Sequence, residues 1–278
     1  MSGRLTGKSV VIIGGTSGLG LAATRACVRE GARVVVVGRD AAKAEQVAQT
    51  LGSDVRRLVA DAGDSATASR AIELAMKEFG SFDALYHVAG GSGRRHGDGP
   101  LHEITDEGWR YTLDQNLTAL FHSNRAAVQQ FLKLRQGGSI VNCGSVLGFS
   151  PSPQFFSTHA YATAKAGIIG LTKSAAAYYA PHHIRLNVVA PGLVATPMSQ
   201  RAQADEDILA FIRTKQPLGG GRIGKPEDLD AAVVWLLSDE SNFVTGQVIA
   251  VDGGWSVTEG HLSRASAPVK QPKPEEPE

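Results

Sequence analysis

Short apolar runs alternate with longer segments of helical spacing along most of the chain. SVVIIG is apolar, ends in glycine and predicts a buried strand. GLAATRACVREG follows with helical spacing and a terminal Gly31. RVVVVG predicts the second strand, and DAAKAEQVAQTLG a helix opened by Asp40 and closed by Gly52. VRRLVAD predicts a third strand, SATASRAIELAMKEFG a helix, and FDALYHVAG a fourth strand. From about Thr105 to Leu134 the spacing predicts one long helix, started by the cap signal TDEGW. GSIVNCGS predicts a fifth strand and HAYATAKAGIIGLTKSAAAYYA a long apolar helix. IRLNVVAPG is the sixth strand, KPEDLDAAVVWLLSD a helix with Pro226 in its first turn, and GQVIAVDGG the seventh strand.

The strands are continuous apolar runs, not alternating ones. That pattern belongs to a parallel sheet covered on both faces. Right-handed crossovers then give an α/β, doubly wound Rossmann-type fold of about seven parallel strands, with ligands at the carboxyl ends of the strands. No second domain or internal repeat is visible, so residues 1–260 are expected to form one domain. The remainder, 261–278, contains SAPVKQPKPEEPE, is nearly free of apolar residues and is expected to be disordered.

Composition narrows the function classes. The chain has 278 residues and a net charge of +1, so no long-range field favours nucleic acid or an acidic membrane surface. No apolar run approaches the roughly 20 residues that cross a bilayer. The start, MSGRLTGKS, lacks the basic-then-apolar pattern of a signal peptide, and a cytoplasmic setting is the default expectation. The two cysteines, Cys27 and Cys143, both lie in apolar stretches. They make neither a disulfide framework nor a metal cluster, and no metal is expected.

Gly14, Gly15, Gly18 and Gly20 fall between the first strand and the first helix. Glycine permits positive φ and lets a pyrophosphate approach the backbone, while N–H groups at the helix start face the anion. The spacing is G-x-x-x-G-x-G, which differs from the commoner G-x-G-x-x-G fingerprint, but its place between strand and helix predicts a dinucleotide site. The second strand ends in Gly38 and Arg39, where an acidic residue would accept hydrogen bonds from a ribose 2′-hydroxyl. A guanidinium suits a 2′-phosphate or stacks on adenine, so NADP is favoured over NAD. Asp40 reads as a helix cap. Asp61, after the third strand, either accepts from the adenine amino group or caps its own loop.

Tyr161 and Lys165 stand at i and i+4 in AYATAKAG, one helical turn apart on one face, with Ser145 upstream in NCGSVLG. An ammonium beside a phenol favours the phenolate and eases proton transfer. A serine at a strand end can donate to a carbonyl oxygen. Taken in order, GGTSGLG, HVAG, NLTALF, IVNCGS, YATAK, LNVVAPGLVATPM and RIGKPEDLDAAVVWLLSDESNFVTGQVIAVDGGW resemble the short-chain dehydrogenase/reductase family, from about Leu5 to Trp255.

The resemblance implies an oxidoreductase that moves a hydride between a nicotinamide cofactor, read as NADP from Arg39, and a carbonyl or alcohol. Tyr161 would be the general acid/base, with Ser145 on the substrate oxygen. Lys165 would also hold the nicotinamide ribose, and Asn116 would anchor a water relay to that lysine. Cofactor contacts implied are Gly14, Thr16, Ser17, Gly18, Leu19 and Gly20 in the turn, and Arg39, Asp61 and Ala62 near the adenosine. Ala89, Gly90, Pro191, Gly192, Val194 and Thr196 complete the set toward the nicotinamide, and a homotetramer is expected. The chain departs from the family in two places. His87 and Val88 replace two asparagines before Ala-Gly, which predicts altered hydrogen bonding there, and Ile13 replaces a threonine before the glycine turn.

Substrate information is thinner. Arg94, Arg95 and His96 lie in a glycine-rich loop, expected to be mobile, that either meets an anionic substrate or is simply solvated. Phe155, Phe156 and His159 form an apolar wall or a subunit contact, and the segment after Met198 reads as a helical lid. Two alternatives stand beside the reductase reading. One is a 3-oxoacyl thioester reductase of the same class; the other is a non-catalytic nicotinamide sensor, which would be expected to lose Tyr161 or Lys165.

Overall fold

The computed structural model describes residues 3–261. The segment expected to be disordered therefore lies, from residue 262 on, outside the described residues. Seven strands form one parallel sheet: β1 Ser9–Ile13, β2 Arg33–Gly38, β3 Val55–Val59, β4 Ala84–His87, β5 Gly138–Cys143, β6 Ile184–Pro191 and β7 Val248–Val251. Their order across the sheet is β3-β2-β1-β4-β5-β6-β7. The order reverses between β1 and β4, and Ile13 pairs with His87 across that switch point.

The helices are α1 Gly18–Arg29, α2 Ala41–Leu51, α3 Thr67–Phe79, α4 Asp106–Leu113, α5 Ala119–Leu134 and α6 His159–Tyr179. The short α7 Gln200–Gln203, then α8 Glu206–Lys215, α9 Leu218–Gly221 and α10 Asp230–Leu237, complete the set. Successive strand residues point to opposite faces. On one face Val10, Ile12, Val34 and Val36 pack with Ala23, Ala26 and Cys27 of α1 and with Val233 and Val234 of α10. On the other, Val11, Ile13, Val35 and Val37 pack with Ala71 and Ile72 of α3 and with Ala127 and Phe131 of α5. Both faces are thus covered, which is why the strands carry continuous apolar runs.

Two elements differ from expectation. β3 is an edge strand, so its exposure alternates, and Arg56 and Arg57 reach Glu78 and Glu45 in solvent. The single long helix expected over 105–134 is α4 and α5 joined by a wider π-type turn, Asp114–Thr118. Thr105 does start it, its side chain accepting a hydrogen bond from Gly108 N. The expected caps of α2 hold as well: Asp40 accepts from Lys43 N at 3.1 Å, and Gly52 closes it at φ 73°.

Candidate active site

The glycine turn is shaped by close approach. A methyl group on Gly20 would lie 2.0 Å from Gly14 O, so a side chain there would break the turn. Gly14 has φ 95°, and a methyl on it would meet Ala89 N at 2.7 Å. The turn therefore rests on the backbone after β4. Thr24 Oγ1 pins it from below, donating to Gly15 O at 3.1 Å and Gly20 O at 2.8 Å. Ser17 precedes α1 without a side-chain cap, which leaves the first-turn N–H groups free to meet an anion. Leu19 lies within that first turn, and Gly18 faces Thr196 across the cleft, a methyl on it lying 3.5 Å from Thr196 Cβ. Thr16 packs against Gly38 at the end of β2.

Arg39 and Asp61 stand together at the ends of β2 and β3, with Arg39 Nη1 at 3.7 Å from Asp61 Oδ2. Both side chains are exposed. Asp61 Oδ1 accepts from Gly63 N at 2.8 Å, so it caps its own loop, while Ala62 is half-buried beside it.

Lys165 is 5% exposed, and its Nζ donates to Cys143 O at 2.9 Å. That Nζ lies 5.5 Å from the centre of the Tyr161 ring. Ser145 ends the loop after β5; its Oγ accepts from Leu147 N at 3.2 Å and donates to no described group. The hydroxyl proton is therefore available to a ligand. Asn116 sits in the π turn and is buried. Its Oδ1 accepts from Gly91 N at 3.2 Å, and its Nδ2 donates to Gly91 O and to Thr112 O, each at 2.9 Å. A methyl on Gly90 would lie 2.6 Å from Asn116 Oδ1 and 3.8 Å from Lys165 Nζ. A side chain at Gly90 would thus crowd both the asparagine and the lysine.

Asp98, which sequence spacing did not point to, fixes the start of the Tyr161 helix. It is 5% exposed, and its two carboxylate oxygens accept from Ala160 N and Tyr161 N, each at 3.0 Å. The helix has no local side-chain cap at Thr158, so Asp98 supplies one from the loop after β4. His159 N also donates to Gly99 O at 3.2 Å. The glycine-rich loop read as mobile is therefore hydrogen-bonded directly to this helix start.

His87, where the resemblance expects asparagine, is 1% exposed. Its Nδ1 bonds Ser123 Oγ at 2.9 Å, and its Nε2 has no partner among the described residues. Burial and the Lys165 cation push its pKa down to about 3, so the ring is neutral. Val88 N and Ala89 N both donate to Ile13 O, at 2.9 and 2.8 Å, and the backbone alone holds that part of the turn.

Beyond β6, Gln216 clasps the segment carrying Pro191, Gly192 and Val194. Its Oε1 accepts from Leu193 N at 2.5 Å, and its Nε2 donates to Leu193 O at 3.2 Å. Thr196 N donates to Ser199 Oγ at 3.0 Å. Beside the loop that precedes α6, the Phe155 and Phe211 rings lie 5.3 Å apart, and Phe156 meets Trp255 edge-on at 5.5 Å. They join Val146, Ile208 and Ile212 in one apolar cluster linking the loop before α6 to α8. His159 is exposed and takes no part in that wall.

Residues 14–256 match the short-chain dehydrogenase/reductase model described as Enoyl-(Acyl carrier protein) reductase. The chain belongs to the short-chain dehydrogenase/reductase family. It is 37% identical over 261 residues to 2-(S)-hydroxypropyl-CoM dehydrogenase 3 of Xanthobacter autotrophicus, covering 91% of this chain and 98% of the relative. The NADP-dependent (R)-specific alcohol dehydrogenase of Lentilactobacillus kefiri is 35% identical, over 92% of this chain and 99% of its own. The 3-oxoacyl-[acyl-carrier-protein] reductase FabG of Thermotoga maritima is 36% identical, over 90% and 98%. Among solved structures, gox2181 superposes with a TM-score of 0.85 at 30% identity, over 91% of this chain and 97% of that one. The chain is thus an oxidoreductase of this family. No helix among the described residues is long and apolar enough to cross a membrane.

Proposed function

We propose that this short-chain dehydrogenase/reductase is NADP-dependent and interconverts a carbonyl and an alcohol, with Tyr161 as the general acid/base. The observation that carries the reading is the buried Lys165 ammonium, 5.5 Å from the Tyr161 ring at the carboxyl end of β5. A nicotinamide bound in the cleft supplies the hydride. The residues of the chain hold and orient. First-turn N–H groups of α1 meet the pyrophosphate, and Arg39 reaches a 2′-phosphate by exchanging its long contact with Asp61. Ser145 Oγ donates to the substrate oxygen, fixing its direction. Tyr161 Oη gives its proton to that oxygen, and the neighbouring ammonium stabilises the phenolate left behind. Asn116 holds Gly91 through its side chain, so its contribution is to set the π turn and the Gly90 backbone facing Lys165.

The NADP reading rests on Arg39 and on the NADP-dependent relative. The family description and the similarity to a 3-oxoacyl carrier-protein reductase favour an acyl thioester as the second reading of substrate. Exposed Phe121 on α5 and Tyr178 on α6 support packing of subunits through these helices, which we read as a homotetramer in the cytoplasm. The test is a panel of ketones and 3-oxoacyl thioesters with NADPH and NADH, comparing the wild type with Tyr161→Phe. The substitution is expected to lower kcat by roughly 10²- to 10⁴-fold while NADPH still binds. Unchanged turnover would remove the assigned acid.

A further inference from the structure

The mouth of the site carries charge that chemistry at Tyr161 does not use. Arg94 lies in the turn Arg94–His96 after β4, and its Nη2 donates to Phe155 O at 3.2 Å. Arg201, on α7, donates from its own Nη2 to the same oxygen at 3.0 Å. Two guanidiniums from segments distant in sequence thus converge on the loop that precedes Tyr161. One carbonyl is a neutral dipole and does not offset two unit charges at contact. Each guanidinium has five N–H donors in a planar fork, and most of these stay open here.

Two carboxylates lie near the pair and partly offset its charge, and both also accept backbone N–H groups. Both oxygens of Asp98 accept backbone N–H groups of α6. Asp205 stands 4.0 Å from Arg201 and caps α8 by accepting from Ile208 N at 3.0 Å. Among the described residues, no carboxylate lies within 4.0 Å of Arg94; its pKa is lowered by partial burial and by Arg201, with the Asp98 carboxylate acting the other way at longer range. The other two basic groups of the loop are placed differently. His96 stacks on Tyr111 at 3.7 Å, and Arg95, exposed like Arg94, makes no contact with Phe155 O.

We propose that Arg94 and Arg201 form a clamp for an anionic group on the substrate: a carboxylate, sulfonate or phosphate. The clamp holds that group beside Phe155 while the reacting carbonyl lies at Ser145 and Tyr161. The Phe155–Phe211 wall then faces the apolar part of the molecule. This inference rests on the carbonyl-reductase reading and narrows its substrate to a carbonyl compound that carries an anionic group.

The test compares levulinate with its methyl ester, and adds the matching keto sulfonate and keto phosphate, in the purified full chain with NADPH. The anionic ketones are expected to exceed the ester in kcat/KM by roughly ten- to hundred-fold, the size of a charge-assisted hydrogen-bond pair. Arg94→Gln and Arg201→Gln are each expected to cut that ratio by about tenfold or more. Arg94→Lys should recover part of it, since a point charge remains. A purely structural role would slow acid and ester alike and leave the ratio unchanged, which would overturn the clamp. The rank order among the three anions then distinguishes carboxylate, sulfonate and phosphate as the group selected. A wild type that reduces the ester as well as the acid also overturns it, without the need for any variant. A defect confined to the KM for NADPH would assign the pair to cofactor phosphates and overturn it too. Absence of turnover with every ketone would overturn the reductase reading and the clamp together, whereas an active but unselective enzyme removes the clamp alone.

Discussion

Acid titration of folding isolates the buried imidazole of His87. The folded ring is 1% exposed and neutral, its pKa held at about 3 by burial and by Lys165. In the unfolded chain the same side chain titrates near 6.5. Between those values the unfolded chain takes up a proton that the folded chain refuses. Stability therefore rises with pH through this window, is complete above the unfolded pKa, and is lost as the pH falls toward the folded one. At about 1.36 kcal/mol per unit, the span from 6.5 to 3 amounts to roughly 5 kcal/mol. Between about pH 7.5 and about pH 5 only the unfolded ring titrates, and the loss is about 2 kcal/mol. That is a substantial share of an ordinary net stability of roughly 5–15 kcal/mol.

The assay is urea unfolding across that range at fixed protein concentration, for the wild type and His87→Asn. Carboxylates held below their usual range by arginines, such as Glu30 beside Arg4 and Asp228 beside Arg222, contribute equally to both proteins and cancel. The packing difference between histidine and asparagine displaces one curve from the other but does not tilt it. Stability of the wild type relative to the variant is expected to fall by about 2 kcal/mol from about pH 7.5 to about pH 5. A difference that stays flat would refute the neutral buried ring. A difference that moves the opposite way would show that His87 is protonated and paired in the fold.

Two further substitutions probe the ends of the cleft. Arg39→Ala is expected to raise the KM for NADPH by roughly ten- to hundred-fold and that for NADH by about twofold or less, read from initial rates with each cofactor; equal effects would remove the case for NADP. Asp98→Ala removes both acceptors from the start of α6 and is expected to cost about 1–2 kcal/mol in urea unfolding, with a fall in kcat because Tyr161 is held by that turn. Asp98→Asn keeps one acceptor and should return part of both; full wild-type behaviour of the alanine variant would show that α6 starts without it.

The sheet was legible because its central strands are buried on both faces and leave the same apolar mark at each crossing. The glycine turn and the Tyr161–Lys165 pair were legible because each is local: one turn or one helical repeat carries the whole signal. What stayed hidden depends on contacts between distant segments. Asp98 caps a helix that begins far along the chain, and a lone aspartate in a glycine-rich loop gives no local sign of it. Gln216 clasps Leu193, and Arg201 meets Arg94 at Phe155, through the same kind of long-range closure.

The π turn at Asn116 shows the limit most clearly. A helix with one widened turn keeps an apolar stripe on either side, so periodicity alone reads 105–134 as continuous. The extra residue turns the Asn116 side chain onto Gly91, where it satisfies both the N–H and the C=O of a backbone segment that would otherwise be buried without partners. The helical irregularity and the glycine-rich backbone after β4 are therefore one device. Each is costly alone, and together they set the wall facing Lys165. Here the interruption is explained by the Gly91 backbone it satisfies, which is not a property of the helix's own sequence.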